Sequence, residues 1–154
     1  MELLLWRHAE AEGQHSHHPD DVLRALTPHG ETQAARMAEW LEPRLPGGAR
    51  ILCSPALRCE ATVAYLGRKY KLCDELLPSA SLQEMLQLIR WPGRETPTLI
   101  VGHQPMLGEL VAKLTGSKET EVSMRKAGLW WLRSRLRDGK LQTLTHCVIG
   151  PDLI

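Results

Sequence analysis

The chain opens with an apolar run at positions 3–6 that stops abruptly on Arg7 and His8. Three leucines and a tryptophan in a row are typical of a strand that is buried on both faces. A strand inside an α/β sheet delivers the residues after its carboxyl end into the crevice where such sheets bind ligands. The run therefore predicts that Arg7 and His8 contribute to an anion site. The alternative is an edge strand that ends in two solvated polar residues.

The rest of the chain alternates segments of strand and helix character, which is typical of an α/β layered domain. We predict further strands at residues 50–53, 71–76 and 98–101, helices at 28–42, 55–68, 81–89 and 106–114, and a final hairpin of residues 127–136 and 141–148. With 154 residues, 43% of them hydrophobic, the chain can bury one core. We therefore expect a single domain over residues 1–154.

Charge and cysteine content exclude several classes of protein. The 19 Lys and Arg residues nearly balance the 18 Asp and Glu residues, so nothing global attracts nucleic acid or an anionic membrane. The four cysteines lack CxxC spacing and are too few for a disulfide scaffold. The first residues carry no basic region, and their apolar run is too short for a signal peptide or a membrane span. We therefore expect a soluble cytoplasmic protein.

Three histidines, His15, His17 and His18, lie in a polar stretch that we predict to be a loop over the site. Their number invites a metal interpretation. No cysteine or spaced set of carboxylates accompanies them, however, to complete a tetrahedral metal site. We therefore predict a protein that needs neither a metal nor a cofactor.

Arg58 lies in the first turn of the helix that follows the predicted strand 50–53. A helix amino terminus already offers free N–H groups and partial positive charge, so an arginine there favours an oxyanion. The alternative is a surface arginine that pairs with Glu60 or Glu75.

His103 follows the predicted strand 98–101, as His8 follows the first strand. With Arg7 and Arg58, the two histidines form a predicted site for a tetrahedral oxyanion, most naturally a phosphoryl group. A neutral imidazole can also attack phosphorus and hold the group covalently. The arginines would then neutralise the charge of the phosphoryl oxygens.

The sequence resembles the histidine phosphatase superfamily, also called the phosphoglycerate mutase-like fold. Arg7-His8-Ala9 matches the family's Arg-His-Gly signature, with alanine for the usual glycine. The segments LTPHGETQA from Leu26, CSPALRCEAT from Cys53 and LIVGHQP from Leu99 match further blocks in the family's order.

This resemblance implies a three-layer α/β/α sandwich with a mostly parallel central sheet. It also implies that His8 is the phosphorylated nucleophile and that Arg7 and Arg58 hold the phosphate. His103 is implied to be a second pocket histidine that stabilises the phosphoryl oxygens.

The small size and the opening RHAEAE resemble the SixA-type branch, the bacterial phosphohistidine phosphatases. Larger members carry a cap before the late histidine, whereas only about 45 residues separate Arg58 from His103 here. The resemblance thus implies a minimal cap and an open site that suits a phosphorylated side chain on a protein. Histidine-containing phosphotransfer domains and phosphocarrier proteins are the implied partners.

Larger relatives also supply a carboxylate as proton donor. Glu75, Glu84 and Glu10 are the candidates here, and the alternative for each is a solvated or capping carboxylate. Phosphohistidine tolerates the lack of an acid, because its leaving imidazole can be protonated near neutral pH. Two other functions stay open: a general small-molecule phosphomonoesterase, and a non-catalytic module that binds phosphate or a phosphoprotein.

Overall fold

A computed structural model describes residues 1–13, 20–91, 93 and 95–154. The strands are β1 (Glu2–Arg7), β2 (Arg50–Cys53), β3 (Lys71–Leu72), β4 (Thr98–Gly102), β5 (Leu129–Arg137) and β6 (Lys140–Ile149). The helices are α1 (Pro28–Leu41), α2 (Leu57–Val63), α3 (Leu82–Ile89) and α4 (Met106–Thr115). The six strands form one sheet in the order β3-β2-β4-β1-β5-β6.

Strand β1 lies inside this sheet. It pairs in parallel with β4, where Leu5 is opposite Ile100, and antiparallel with β5, where Leu5 is opposite Trp130. The apolar residues 3–6 are completely buried, so the edge-strand alternative is wrong. Strands β2 and β3 extend the parallel part, while β5 and β6 form an antiparallel hairpin at the other side. The prediction of a mostly parallel sheet is thus confirmed.

Helices cover both faces of the sheet. Leu4 and Trp6 belong to a core cluster with residues of α1 and α2, whereas Leu3 and Leu5 belong to a second cluster with residues of α3 and α4. Successive side chains of a strand point to opposite faces, so a continuous apolar run is what a sheet between two helical layers requires. The predicted three-layer sandwich is confirmed.

Side-chain caps start helices α1 and α3. The hydroxyl of Thr27 accepts the N–H of Gly30 at 2.9 Å, and Pro28 occupies the first turn of α1. Ser81 and Glu84 form a capping box at α3, an arrangement that satisfies two otherwise unpaired N–H groups. A side chain at Gly30 has no room, because its Cβ would lie 2.0 Å from the carbonyl oxygen of Glu10. Helix α1 therefore packs directly against the segment that follows β1.

The third strand is shorter than predicted. Only Lys71 and Leu72 pair with β2, and residues Asp74–Leu76 form a 3₁₀ turn. Leu76 is fully buried while Leu72 is exposed, so the apolar content of this segment reaches the core through the turn. Helix α2 likewise ends early and continues as a 3₁₀ turn, Ala64–Leu66. Of the helices in the described part of the chain, none combines the length and the apolar character that crossing a membrane requires.

Candidate active site

The carboxyl ends of β1, β2 and β4 lie at one edge of the sheet. Backbone hydrogen bonds tie the segments that leave these strands: the N–H of His8 donates to Gly102 O at 3.1 Å, and the N–H of Ser54 donates to Val101 O at 3.0 Å. A cavity of about 200 Å³ opens at this edge. Its lining residues are Arg7, His8, Ala11, Arg24, Arg58, Pro78, His103, Gln104 and Lys126. The structure thus brings Arg7, His8, Arg58 and His103 together.

His8 directly follows β1 and is buried. Its Nδ1 lies 2.7 Å from the carbonyl oxygen of Ala9. A carbonyl only accepts hydrogen bonds, so Nδ1 carries the proton and Nε2 keeps a lone pair. Burial, together with the charges of Arg58 and Arg7, lowers the pKa of His8 to about 3. His8 is therefore a neutral imidazole with one basic nitrogen at pH 7.

Ala9 takes the place at which a glycine was expected. Its N–H donates to the hydroxyl of Thr62 at 3.0 Å, its carbonyl accepts from His8, and its side chain is completely buried. Both contacts are made by the backbone of Ala9. The methyl group is therefore accommodated without loss of the contact that orients His8.

His103 faces His8 across the cavity, with ring centroids 5.3 Å apart and planes at 57°. Its Nε2 lies 2.8 Å from the hydroxyl oxygen of Ser54, which also accepts the N–H of Ala56 at 3.3 Å. The Ser54 hydroxyl can donate to Nε2 or accept from it; in the tautomer in which it donates, the ring proton lies on Nδ1. Burial, and then the neighbouring His8 and Arg58, lower the pKa of His103 to about 3. His103 is thus also neutral at pH 7.

Cys59 lies beside this pair, with its sulfur 3.5 Å from Nε2 of His103. Burial raises the pKa of the Cys59 thiol to about 12. The group is therefore a thiol at neutral pH and acts as a small apolar neighbour of the histidine rather than as a thiolate.

The guanidinium of Arg7 is held by a carbonyl from a distant segment. Its Nη1 donates to Met124 O at 2.7 Å, and the backbone N–H of Arg7 donates to Gly128 O at 3.0 Å. Its Nε is buried and has no hydrogen-bond partner in the part of the chain that the structure describes. A buried unpaired donor is costly, which is consistent with a site that an anion completes.

Arg58 is almost completely buried and is bound by Asp21. Its Nη1 donates to the backbone oxygen of Asp21 at 2.9 Å, and its Nη2 donates to Oδ2 of the same residue at 3.1 Å. The alternative of a surface arginine that pairs with Glu60 or Glu75 is therefore wrong. The Nε of Arg58 is a second buried donor without a partner among the residues described.

Arg24 is a cavity residue that the sequence analysis missed. It lies at the end of a 3₁₀ turn, Asp21–Leu23, and its Nε donates to Oδ1 of Asp21 at 2.9 Å. Partial burial opposes the shift, but the hydrogen bonds and charges of Arg24 and Arg58 lower the pKa of Asp21. Asp21 thus joins two arginines of the cavity. The only signal in the sequence was a cation two residues before the LTPHGETQA block.

Lys126 and Gln104 also line the cavity and were missed. Lys126 belongs to the segment before β5, next to Ala127, which is fully buried with a φ of 60°. The N–H of Ala127 donates to His8 O at 3.1 Å, and its oxygen accepts the indole N–H of Trp6 at 2.9 Å. These contacts hold a strained backbone next to the site. Trp6 and Ala127 are more than 100 positions apart in the sequence, so no local sequence pattern predicts their contact.

The three predicted proton-donor candidates do not reach the cavity wall. An oxygen of the Glu10 side chain accepts the hydroxyl of Thr27 at 2.8 Å. Glu84 caps α3, and the backbone N–H of Ser81 lowers the pKa of its exposed carboxyl. Glu75 is exposed in the turn Asp74–Leu76. Among the described residues, no carboxylate lines the cavity.

The three clustered histidines of the predicted loop, His15, His17 and His18, lie outside the described residues. Within the ranges that are described, no group of three or more His, Cys, Asp or Glu side chains is placed to hold a metal ion.

Comparison with known proteins places this geometry in context. A model of the histidine phosphatase superfamily (branch 1) matches residues 3–121. The phosphohistidine phosphatase SixA homolog of Haemophilus influenzae is 30% identical, over 95% of this chain and 94% of that protein. The phosphohistidine phosphatase SixA of Escherichia coli K12 is also 30% identical, over 74% of each. A solved structure of the protein histidine phosphatase SixA, complexed with tungstate, shares the fold with a TM-score of 0.81, at 24% identity over 99% of both chains.

Proposed function

Because this chain belongs to the histidine phosphatase superfamily, we propose that it hydrolyses phosphohistidine on a protein, through a phosphorylated His8 as intermediate. The observation that supports the proposal most directly is the protonation state of His8 and its place in the cavity. It is a neutral imidazole, its Nδ1 is bound to Ala9, and it lies in a cavity lined by three arginines and a lysine. Such a group needs no general base to attack phosphorus.

In the first half-reaction, the lone pair of His8 Nε2 attacks the phosphorus of the substrate. A bond forms between Nε2 and phosphorus, and the bond from phosphorus to the substrate imidazole breaks; this imidazole takes a proton from solvent and leaves in its neutral form. Arg7 and Arg58 neutralise the phosphoryl oxygens, whose charge must be stabilised as the group passes between the two nitrogens. His103 donates from Nδ1 to one of these oxygens. This donation requires the tautomer in which Nε2 accepts the Ser54 hydroxyl.

In the second half-reaction, water attacks phosphorus, releases one proton to solvent, and the bond to Nε2 breaks. Phosphate leaves, and His8 returns to its neutral form. Overall, one water is consumed, the substrate imidazole gains a proton and inorganic phosphate is released. Both histidines begin and end the cycle neutral, as their low pKa values require.

The cavity wall supports phosphohistidine over a phosphoester. An alkoxide is a poor leaving group and benefits from a general acid, whereas an imidazole is protonated near neutral pH and leaves without one. Among the residues described, the wall holds no carboxylate that could act as this acid. The names of the two SixA relatives support the same substrate class. A histidine-containing phosphotransfer domain or a phosphocarrier protein is therefore the proposed partner. The proposed location of the phosphatase itself is the cytoplasm.

Turnover of a phosphohistidine protein, compared with a panel of small phosphoesters and sugar phosphates, tests this function. We expect kcat/KM to be at least about 100-fold higher for the phosphohistidine protein, the size of a typical general-acid contribution. Equal or faster turnover of a small phosphoester would instead identify a phosphomonoesterase. Binding of phosphate without turnover of any substrate would identify a binding module.

A further inference from the structure

Three large apolar side chains are exposed beside the cavity. Val22 and Leu23, in the turn Asp21–Leu23, are 42% and 61% exposed, and Leu57 at the start of α2 is 41% exposed. We call Val22, Leu23 and Leu57 the apolar ledge. Single exposed apolar residues are normal on a protein surface, whereas three in the two segments that border a functional site are candidates for an interaction surface.

The ledge is joined to the phosphate cavity through its neighbours in the chain. Leu57 precedes Arg58, and Val22 and Leu23 lie between Asp21 and Arg24. The two hydrogen bonds from Arg58 to Asp21 connect the turn to α2. The contacts that fix the cavity arginines therefore also fix the position of the ledge.

We propose that the apolar ledge is the docking surface for the protein that carries the phosphohistidine, and that this protein presents apolar residues around its phosphorylated side chain. This inference rests on the function proposed above and adds to it the chemistry of the partner surface. A free phosphorylated amino acid fills only the cavity. A protein that places its phosphohistidine in the same cavity also covers the rim, where the ledge lies.

The composition of the ledge argues for an apolar partner surface. Its three members carry no charge, whereas the cavity beside it is lined by Arg7, Arg24, Arg58 and Lys126. Charge thus selects the phosphoryl group, and the ledge contributes buried apolar area when the partner binds. The exposed hairpin residues Leu136, Leu141 and Leu144 lie at or beyond the amino end of β1, away from this edge of the sheet. Strand β5 leaves the site edge at Leu129 and passes the amino end of β1 at Arg133.

The test uses two ledge variants, Leu57→Ser and the double change Val22→Ser with Leu23→Ser. Each is assayed with a histidine-containing phosphotransfer domain phosphorylated by phosphoramidate, and with free phosphohistidine. We expect kcat/KM for the domain to fall about tenfold or more, mainly through KM, because each variant removes apolar area that the partner buries when it binds. We expect turnover of free phosphohistidine to stay within about twofold, since the ledge does not line the cavity.

Leu136→Ser is the matched control, because Leu136 is 75% exposed and lies on the remote hairpin. An equal loss with both substrates, no loss with the domain, or the same loss in the control would overturn the docking surface. Wild-type protein that hydrolyses free phosphohistidine and not the domain would refute both the docking surface and the protein substrate of the proposed function. Wild-type protein that hydrolyses neither would instead refute the proposed function on which the inference rests.

Discussion

Asp21 binds Arg58 through both its backbone and its side chain. The backbone oxygen accepts from Nη1 at 2.9 Å, and the carboxylate accepts from Nη2 at 3.1 Å. The same carboxylate accepts from Arg24 at 2.9 Å. One acidic residue outside the cavity wall thus orients two of its arginines, and the electrostatic environment of the proposed phosphoryl site depends on it.

Replacement of Asp21 tests this dependence. Asp21→Ala removes one charge-assisted hydrogen bond from each of Arg58 and Arg24, which keep only their bonds to backbone oxygens. We expect kcat/KM for a phosphohistidine substrate to fall about tenfold, the equivalent of one such bond. Asp21→Asn keeps one acceptor oxygen, so its kcat/KM should lie between the values of Asp21→Ala and wild type. Steady-state kinetics with free phosphohistidine measures both.

Asp152→Ala is the control for the loss of a carboxylate. Asp152 pairs with Arg125 at 2.7 Å, and neither residue lines the cavity. Its removal should leave kcat/KM unchanged. Activity of Asp21→Ala equal to or above that of wild type would contradict the orienting role.

Low pKa values of the two site histidines predict how stability depends on pH. Burial and nearby positive charge hold the pKa of His8 and of His103 at about 3, below the ordinary 6.5. Between these values the unfolded chain binds protons that the folded chain does not, so the free energy of unfolding falls as the pH drops below 6.5. The expected loss by pH 5 is about 2 kcal/mol for each histidine. Urea unfolding between pH 7.5 and pH 5 measures it.

His103→Gln separates the contributions of the two histidines. This variant keeps a polar side chain but loses one of the two titrating histidines. Its free energy of unfolding should therefore fall by about half as much as that of wild type over the same pH range. Equal slopes in wild type and variant would contradict a neutral, buried His103.

The carboxylates near the site should not act as proton donors. Glu84 caps α3, Glu10 accepts from Thr27 and Glu75 is exposed, and none of the three lines the cavity. We expect Glu10→Gln, Glu75→Gln and Glu84→Gln each to keep kcat for phosphohistidine within about twofold, because a general acid would contribute at least about 100-fold. A loss of that size in one variant, with normal unfolding, would identify that residue as the acid.

The sequence predicted the parts of the site that follow directly from strands. Arg7, His8 and His103 come after buried strands whose carboxyl ends meet, so their neighbourhood follows from the topology alone. The caps of α1 and α3 were predictable because a cap depends on residues within one helical turn.

Neither Arg24 nor Lys126 follows from a pattern of the sequence. Arg24 is oriented by Asp21 within a 3₁₀ turn of polar and apolar residues without helical periodicity. Lys126 is placed by its neighbour Ala127, whose backbone binds Trp6 and His8 from a distant part of the sequence. The short β3 was overestimated because Leu76 enters the core from a turn, which an apolar pattern does not distinguish from a strand.

Covalent trapping tests the central claim most directly. The enzyme is mixed with a phosphotransfer domain that carries radioactive phosphohistidine, and the reaction is stopped in alkali within its first turnover. We predict a label on the enzyme that is stable to alkali, labile to acid and located on His8, and that is absent from His8→Ala. A label on another residue, or turnover by EDTA-treated His8→Ala protein without any label, would contradict the phosphorylated His8 intermediate.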